Sequence, residues 1–292
     1  MDKIIRCITS DGAIMASAID STDIVYKASI IHRTSPVASA ALGRLLSATS
    51  MMGAMLKSKD ASINLRVAGD GELGPVIAVA DSFGNVKGYV SNPSCPSTHY
   101  DNGKLNVAEA VGKNGVLNVM RNLGSGEPYI GQIELSSGEI AEDIAAYYAQ
   151  SEQIPTVCAL GVLIDKDSSQ VLLSGGLLIQ LLPGADDNTI TKLEENISKL
   201  ESVTTMLAKG MSTLEMCKKA LDGFEVEVLD EFEVKYVCGC SKEKIASLIE
   251  SMPEEEIRDM IEKDHGAKAG CHFCNKTFEF SESDLQAILS KK

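Results

Sequence analysis

The chain has 292 residues, 44% of them hydrophobic and 23% charged, a composition with room for one large domain or for a domain plus appendages. Its formal net charge of -14 works against a phosphate backbone or an anionic membrane as partner, and the densest basic stretch is only KSK at 57–59. With aromatics at 4% and no Trp, base-stacking platforms are poorly supplied.

The N-terminus, MDKIIRCITSDG, lacks a cationic start followed by a long apolar run, so no signal peptide is expected. IIRCIT, SDG and AIMASAI predict a β-hairpin, and helical patterns follow at about 22–33 and 36–58. The second of these contains the longest apolar stretch, residues 36–56. It carries Arg44 and four hydroxyl side chains among recurring Ala and Gly, which predicts a closely packed core helix rather than a membrane span. SINLRVAG, PVIAVAD and VKGYVS predict a three-stranded meander. A Pro-, Ser- and Asn-rich loop (91–104) then leads to VLNVMRNL and YIGQIEL, also strands. A helix at about 138–151 and two apolar strands, TVCALGVLI and VLLSGGLLIQLL, complete a first domain over 1–184. Strands and helices mix without a βαβ alternation, so the expected fold class is α+β, and no Gly-rich phosphate fingerprint is present.

Residues 186–222 are helical in pattern but carry a thin apolar stripe: Ile190, Leu193, Ile197, Leu200, Val203 and Leu207. A capping box at Ser212 and Glu215 opens a second helix here, closed by Gly223. FEVEVLDEFEVKYV (224–237) alternates like a strand. From Glu225 to Asp264 there are 13 acidic and 5 basic residues, so 185–237 is expected to be an acidic, weakly stabilised connector that depends on docking. The remaining 238–292, with two short helices near 242–251 and 254–264 and a final helical turn, is too small to bury much core.

Four cysteines supply what that segment lacks. Cys238, Cys240, Cys271 and Cys274 give the spacing C-x-C-x30-C-x2-C, two knuckles with two thiols each, which is what a tetrahedral zinc ion requires. Phe273, Phe278 and Phe280 fit a small hairpin packed beside the second knuckle. His265 and His272 lie nearby but are expected to be bystanders, since four thiolates complete the shell. Gly239 eases a sharp bend between the first two thiols. Zinc would hold thiolates about 3.8 Å apart, beyond the disulfide bond length of about 2.05 Å. Oxidation of one thiolate removes a ligand, and attack by its neighbour then gives Cys238–Cys240 or Cys271–Cys274 with release of the metal. Cys7 and Cys158, in apolar strands, are expected in the core. Cys95, in a polar loop, is expected to be exposed, and neither it nor Cys217 receives a role. A static zinc staple, a zinc-bearing nucleic-acid module and a thiol oxidoreductase using Cys271 and Cys274 are the rival readings. The acidic balance argues against the second, and the absence of a thioredoxin-like βαβ pattern argues against the third.

The motifs HRTSPVASAALGRLLSAT, YVSNP, AVGKNG, GQIELSSGEIAEDIAAYYAQSEQIP, GGLLIQLLPGA and the terminal CGCS…CHFCN resemble the 33 kDa chaperonin family, redox-regulated heat-shock holdases of the bacterial cytoplasm. The resemblance runs nearly end to end. It implies a non-enzymatic, ATP-independent chaperone without catalytic or cofactor-binding residues, carrying one Zn2+ per chain in the reduced form. It further implies that oxidants such as hypochlorous acid, or peroxide with heat, form both disulfides, Cys238–Cys240 and Cys271–Cys274, and expel the zinc. Homodimers then form and bind unfolding client proteins. On that resemblance 1–184 is the chaperone core, 185–237 a metastable linker and 238–292 the zinc-binding redox-switch domain, with neither nucleic acid nor membrane as partner.

Overall fold

The computed structural model describes residues 1–292, which fall into two units, Met1–Val237 and Cys238–Lys292. The larger unit is organised around two five-stranded antiparallel sheets. Strands β1 (Lys3–Thr9), β2 (Ile14–Asp20), β8 (Thr156–Ile164), β9 (Val171–Leu181) and β10 (Val226–Glu233) form the first, in the order β10-β1-β2-β9-β8. Strands β3 (Ser62–Ala68), β4 (Val76–Asp81), β5 (Val86–Val90), β6 (Val116–Asn122) and β7 (Tyr129–Glu134) form the second, in the order β5-β4-β3-β6-β7. The mixed α+β class expected from the sequence is the one observed.

Helix α2 (Pro36–Ala54) packs against β2, β8 and β9 of the first sheet and β3, β4 and β5 of the second. A helix enclosed on all sides needs small, apolar residues all round, and of its 19 residues only Pro36 and Arg44 escape burial. Gly53 is required by close approach, because a Cβ there would lie 2.5 Å from the carbonyl oxygen of Asp81. Of the hydroxyls buried in α2, Ser47 Oγ donates to the Gly43 carbonyl (2.8 Å) and Thr49 Oγ1 to that of Leu45 (2.6 Å), within the helix, while Ser50 Oγ donates to the Gly84 carbonyl. Arg44 is anchored by the carbonyl and carboxylate of Glu139. The preceding helix, α1 (Thr22–His32), starts on the carboxylate of Asp2, which accepts the N–H groups of Asp23 (2.9 Å) and Ile24 (2.6 Å).

The first sheet is apolar on both faces, and the alternation of its strands sorts residues between them. Ile4, Ile19 and Leu178 enter the core shared with α1 and α2. Ile5, Cys7, Ala16, Ala18, Leu177 and Ile179 point the other way, into a second apolar cluster. That cluster is closed by α5 (Asp187–Ser198), α6 (Val203–Ala208) and α7 (Thr213–Ala220), three helices where the sequence pattern suggested two. The expected stripe is there, with Leu193, Val203 and Leu207 buried. It is thicker than expected because Met206, Met216, Cys217, Ala220 and Leu221 are also buried. The alternating segment after Gly223 becomes β10, which pairs along β1 as an edge strand. Residues just beyond it leave the first sheet and join the second. Tyr236 bridges to Val86, and its hydroxyl donates to the Gly88 carbonyl (2.8 Å) while its own carbonyl accepts from Lys27 Nζ (3.0 Å).

Three local features differ from the sequence expectation. A short helix, α3 (Val107–Val111), follows the polar loop, its N-cap Asn106 accepting from the Glu109 N–H. The helix expected at about 138–151 is α4 (Ala141–Tyr147) followed by a π-helical turn, Tyr148–Glu152. Cys95 is buried rather than exposed, packed in the main core beneath its loop, because the surrounding Ser and Pro residues hide one inward position from a pattern reading.

The smaller unit contains α8 (Lys242–Glu250), α9 (Glu254–Glu262), the hairpin β11 (Gly266–Gly270) and β12 (Thr277–Ser281), and α10 (Glu282–Leu289), a full helix where only a turn was expected. Its core consists of Ile249, Ile257, Phe280, Leu285 and Ile288 with partly buried neighbours. Lys242 ties α8 to α10 through Asp284 (3.0 Å) and also stands over the Phe280 ring.

Candidate metal centre

The second knuckle is the tip of the β11–β12 hairpin. The Cys271 N–H donates to the Lys276 carbonyl (2.9 Å) and the Asn275 N–H to the Cys271 carbonyl (2.8 Å), with Asn275 at a positive φ of 55° that closes the turn. Asn tolerates this left-handed conformation better than most residues do. The first knuckle runs into α8, whose N-cap Ser241 accepts from the Lys244 N–H, while Lys244 Nζ donates to the Gly239 carbonyl (2.7 Å). Gly239 does not use glycine's conformational freedom here. Its φ is not positive, and a Cβ would meet only Lys244 Nζ at 3.4 Å.

All four sulfurs lie within 4.8 Å of one another, although 30 residues separate the knuckles in the chain. Two close pairs cross between knuckles, Cys238 to Cys271 at 3.6 Å and Cys240 to Cys274 at 3.3 Å. Sulfurs about 2.3 Å from a tetrahedral ion stand about 3.8 Å apart, so the spacing and the donor set both fit a thiolate-binding metal. The protons point to the same need. Burial opposes ionisation of Cys271, but the Phe273 N–H and the Cys238 thiol bring its pKa down to about 7, so one thiolate forms readily. Burial and the adjoining sulfurs push Cys240 up to about 12, so the cluster resists accumulating further charge without a cation. His265 pairs instead with Glu282 (2.8 Å), and neither it nor His272 belongs to the sulfur cluster. The cysteines outside the cluster are separately placed: Cys7 and Cys217 are buried in the second apolar cluster, and Cys158 packs against the main core. That Cys7 and Cys217 share one apolar cluster has no signature in the sequence, since 209 residues lie between them.

Fold and site thus define an α+β protein with a separate small unit built around a four-cysteine cluster able to hold a metal ion. A family model described as Hsp33 protein matches residues 2–281. Chaperonins of 33 kDa from Clostridioides difficile and Alkaliphilus metalliredigens are each 44% identical to the chain, over 99% of it and 99% of their own length. The crystal structure of the 33 kDa chaperonin from Thermotoga maritima superposes with a TM-score of 0.89 at 32% identity, covering 99% of this chain and 98% of that one. The chain belongs to the Hsp33 chaperone family. No helix is long and apolar enough to cross a membrane.

Proposed function

We propose that this chaperone is a redox-regulated, ATP-independent holdase of the cytoplasm, quiet when reduced and zinc-bound, and active once its four clustered thiols are oxidised. The observation that carries this reading is the convergence of four sulfurs within 4.8 Å in a unit whose buried core amounts to five side chains. A metal ion bound there would neutralise the thiolates and supply on the order of 10–16 kcal/mol of folding free energy, more than such a core provides. Oxidation of one thiolate to a sulfenic acid removes a ligand, and the small unit loses its folded state.

Which thiols then pair follows from chain entropy. In the folded unit sulfurs of opposite knuckles stand within 3.6 Å of each other. Once the unit unfolds, closing the short Cys238–Cys240 and Cys271–Cys274 loops costs much less entropy than closing loops of about 33 residues, so the neighbouring pairs form. Residues 185–237 act as the metastable linker between the core, 1–184, and the switch, 238–292. Three short helices cover the outer face of the first sheet and β10 extends its edge, and lifting the helices bares Ile5, Ala16, Ala18, Leu177 and Ile179 for unfolding clients or for a second copy in a homodimer.

The test pairs two states of one preparation. Reduced protein should carry one zinc per chain and protect a thermally unfolding client weakly. After hypochlorite, zinc should appear in solution, four thiols should disappear into the two neighbouring disulfides, and protection should rise sharply. Equal protection by both forms, or disulfides crossing between knuckles, overturns the proposal.

A further inference from the structure

We propose that the free edge of β7 docks an extended apolar segment of another, unfolding chain, flanked by lysine or arginine, in reduced and oxidised protein alike.

The two five-stranded sheets have four edges, and three are guarded. Along β5, the Val86 N–H donates to the Lys235 carbonyl (3.0 Å), and the Val86 carbonyl accepts from the Val237 N–H (2.9 Å). Strand β10 carries Glu227, Asp230, Glu231 and Glu233, and its register with β1 shifts between Arg6 and Cys7. Strand β8 packs against α2, α4 and α6, and of its nine residues only Leu163 is exposed. Strand β7 has none of these devices. It ends its sheet, its register with β6 runs unbroken from Tyr129 to Glu134, and it contains neither proline nor a basic residue. Alternate residues of such a strand turn their N–H and C=O groups away from the sheet, a template for one more strand.

The side chains beside that edge are apolar. Ile130 is 64% exposed and stands across from the exposed Met120 of β6, and Leu123, in the turn after β6, is 56% exposed. On the other face the Arg121 guanidinium lies 4.7 Å from the centre of the Tyr129 ring and holds it at the edge. An added strand therefore gains main-chain hydrogen bonds along its length and apolar contact on both faces. Charge selects among extended segments. Glu127 and Glu134, both exposed, bracket the strip, and no residue from 127 to 134 is cationic. A second copy fits less well, because self-pairing puts four carboxylates on one ribbon. Aggregation-prone segments of natural chains are flanked by charged gatekeepers, and those flanked by lysine or arginine match this edge. The edge is open while the linker is docked, so it supplies the weak protection expected of the reduced form. That consequence rests on the proposed function, whereas binding at the edge does not.

The experiment uses the full-length, reduced, zinc-loaded protein and its oxidised form. The probe is a fluorescent peptide of six valine and isoleucine residues between paired lysines, N-methylated along one edge so that it cannot stack on itself. Anisotropy should show similar affinity for both forms, and amide hydrogen exchange should slow within 129–134. Replacing the flanking lysines by glutamates should weaken binding about tenfold, and Glu127→Lys/Glu134→Lys should reverse the preference. Ile130→Lys, at an exposed position, should also weaken the lysine-flanked peptide about tenfold, with circular dichroism confirming its fold. Equal affinity for both flanks, binding that survives methylation along both edges, or unchanged exchange over 129–134 overturns the proposal. Reduced protein that sediments as a dimer, with Ile130→Lys monomeric, overturns it in favour of a second copy. In client protection, reduced Ile130→Lys should lose most of the residual activity yet keep the gain after hypochlorite. Failure of the switch reads out differently: that gain would then be missing from wild type and variant alike, with peptide binding intact.

Discussion

The two units solve the same problem of stability in opposite ways. In Met1–Val237 the chain encloses a helix between two sheets, and a large apolar core of side chains that bury one another holds it together. In Cys238–Lys292 the buried side chains are Ile249, Ile257, Phe280, Leu285 and Ile288, and four sulfurs converge beside them. A core made of many contacts loses them gradually, one substitution at a time. A fold centred on one ion is lost at once when the ligands change chemistry. A switch of the kind proposed above would therefore sit most effectively on the small unit.

Metal removal should break the comparison most forcefully. Chelation under reducing conditions is expected to withdraw on the order of 10–16 kcal/mol from 238–292. Amide hydrogen exchange should then show that segment losing protection while α2 and both sheets keep theirs. Equal loss in both units would mean that the larger one is not self-sufficient. Single truncations sharpen the contrast. Leu45→Ala, in the enclosed helix, removes a fully buried side chain and should cost about 3–5 kcal/mol, read from denaturant unfolding of the larger unit. Ile257→Ala, equally buried, should cost about as much, yet the metal-loaded small unit should stay folded because the ion contributes more than the cavity costs. The smallest effect is a pH dependence confined to the larger unit. Burial raises the Asp2 carboxyl from 3.8 to about 6, against the opposing N–H groups of Asp23 and Ile24. A folded pKa above the unfolded one means stability that is fully present below about pH 4 and lost as pH rises through about 6, by up to about 3 kcal/mol. Asp2→Asn, which keeps an acceptor for the helix N-terminus, should flatten the melting temperature of the larger unit across that range.

The strands of both sheets and the enclosed helix were legible because their periodicities are strong and their ends carry Gly, Pro or Ser. The cysteine cluster was legible because two paired thiols at two knuckles are rare outside metal sites. What escaped was whatever depends on contacts distant in the chain. Cys95 looked like a loop residue because burial of a single position leaves no period. Met206, Met216 and Ala220 were missed because α6 and α7 are too short to repeat a stripe, so their burial shows only against the sheet they cover. The π-helical turn at Tyr148–Glu152 has no propensity signal either. Tyr148 is buried there against the core, and packing sets the turn.

Tyr236 gives the arrangement a further property. It stands two residues before the first cysteine, bridged to Val86, with its hydroxyl on the Gly88 carbonyl and its carbonyl on Lys27. Fraying that begins at Cys238 therefore meets a firebreak before it reaches β10. Collapse of the tail and peeling of the edge strand become separate events, each with its own threshold.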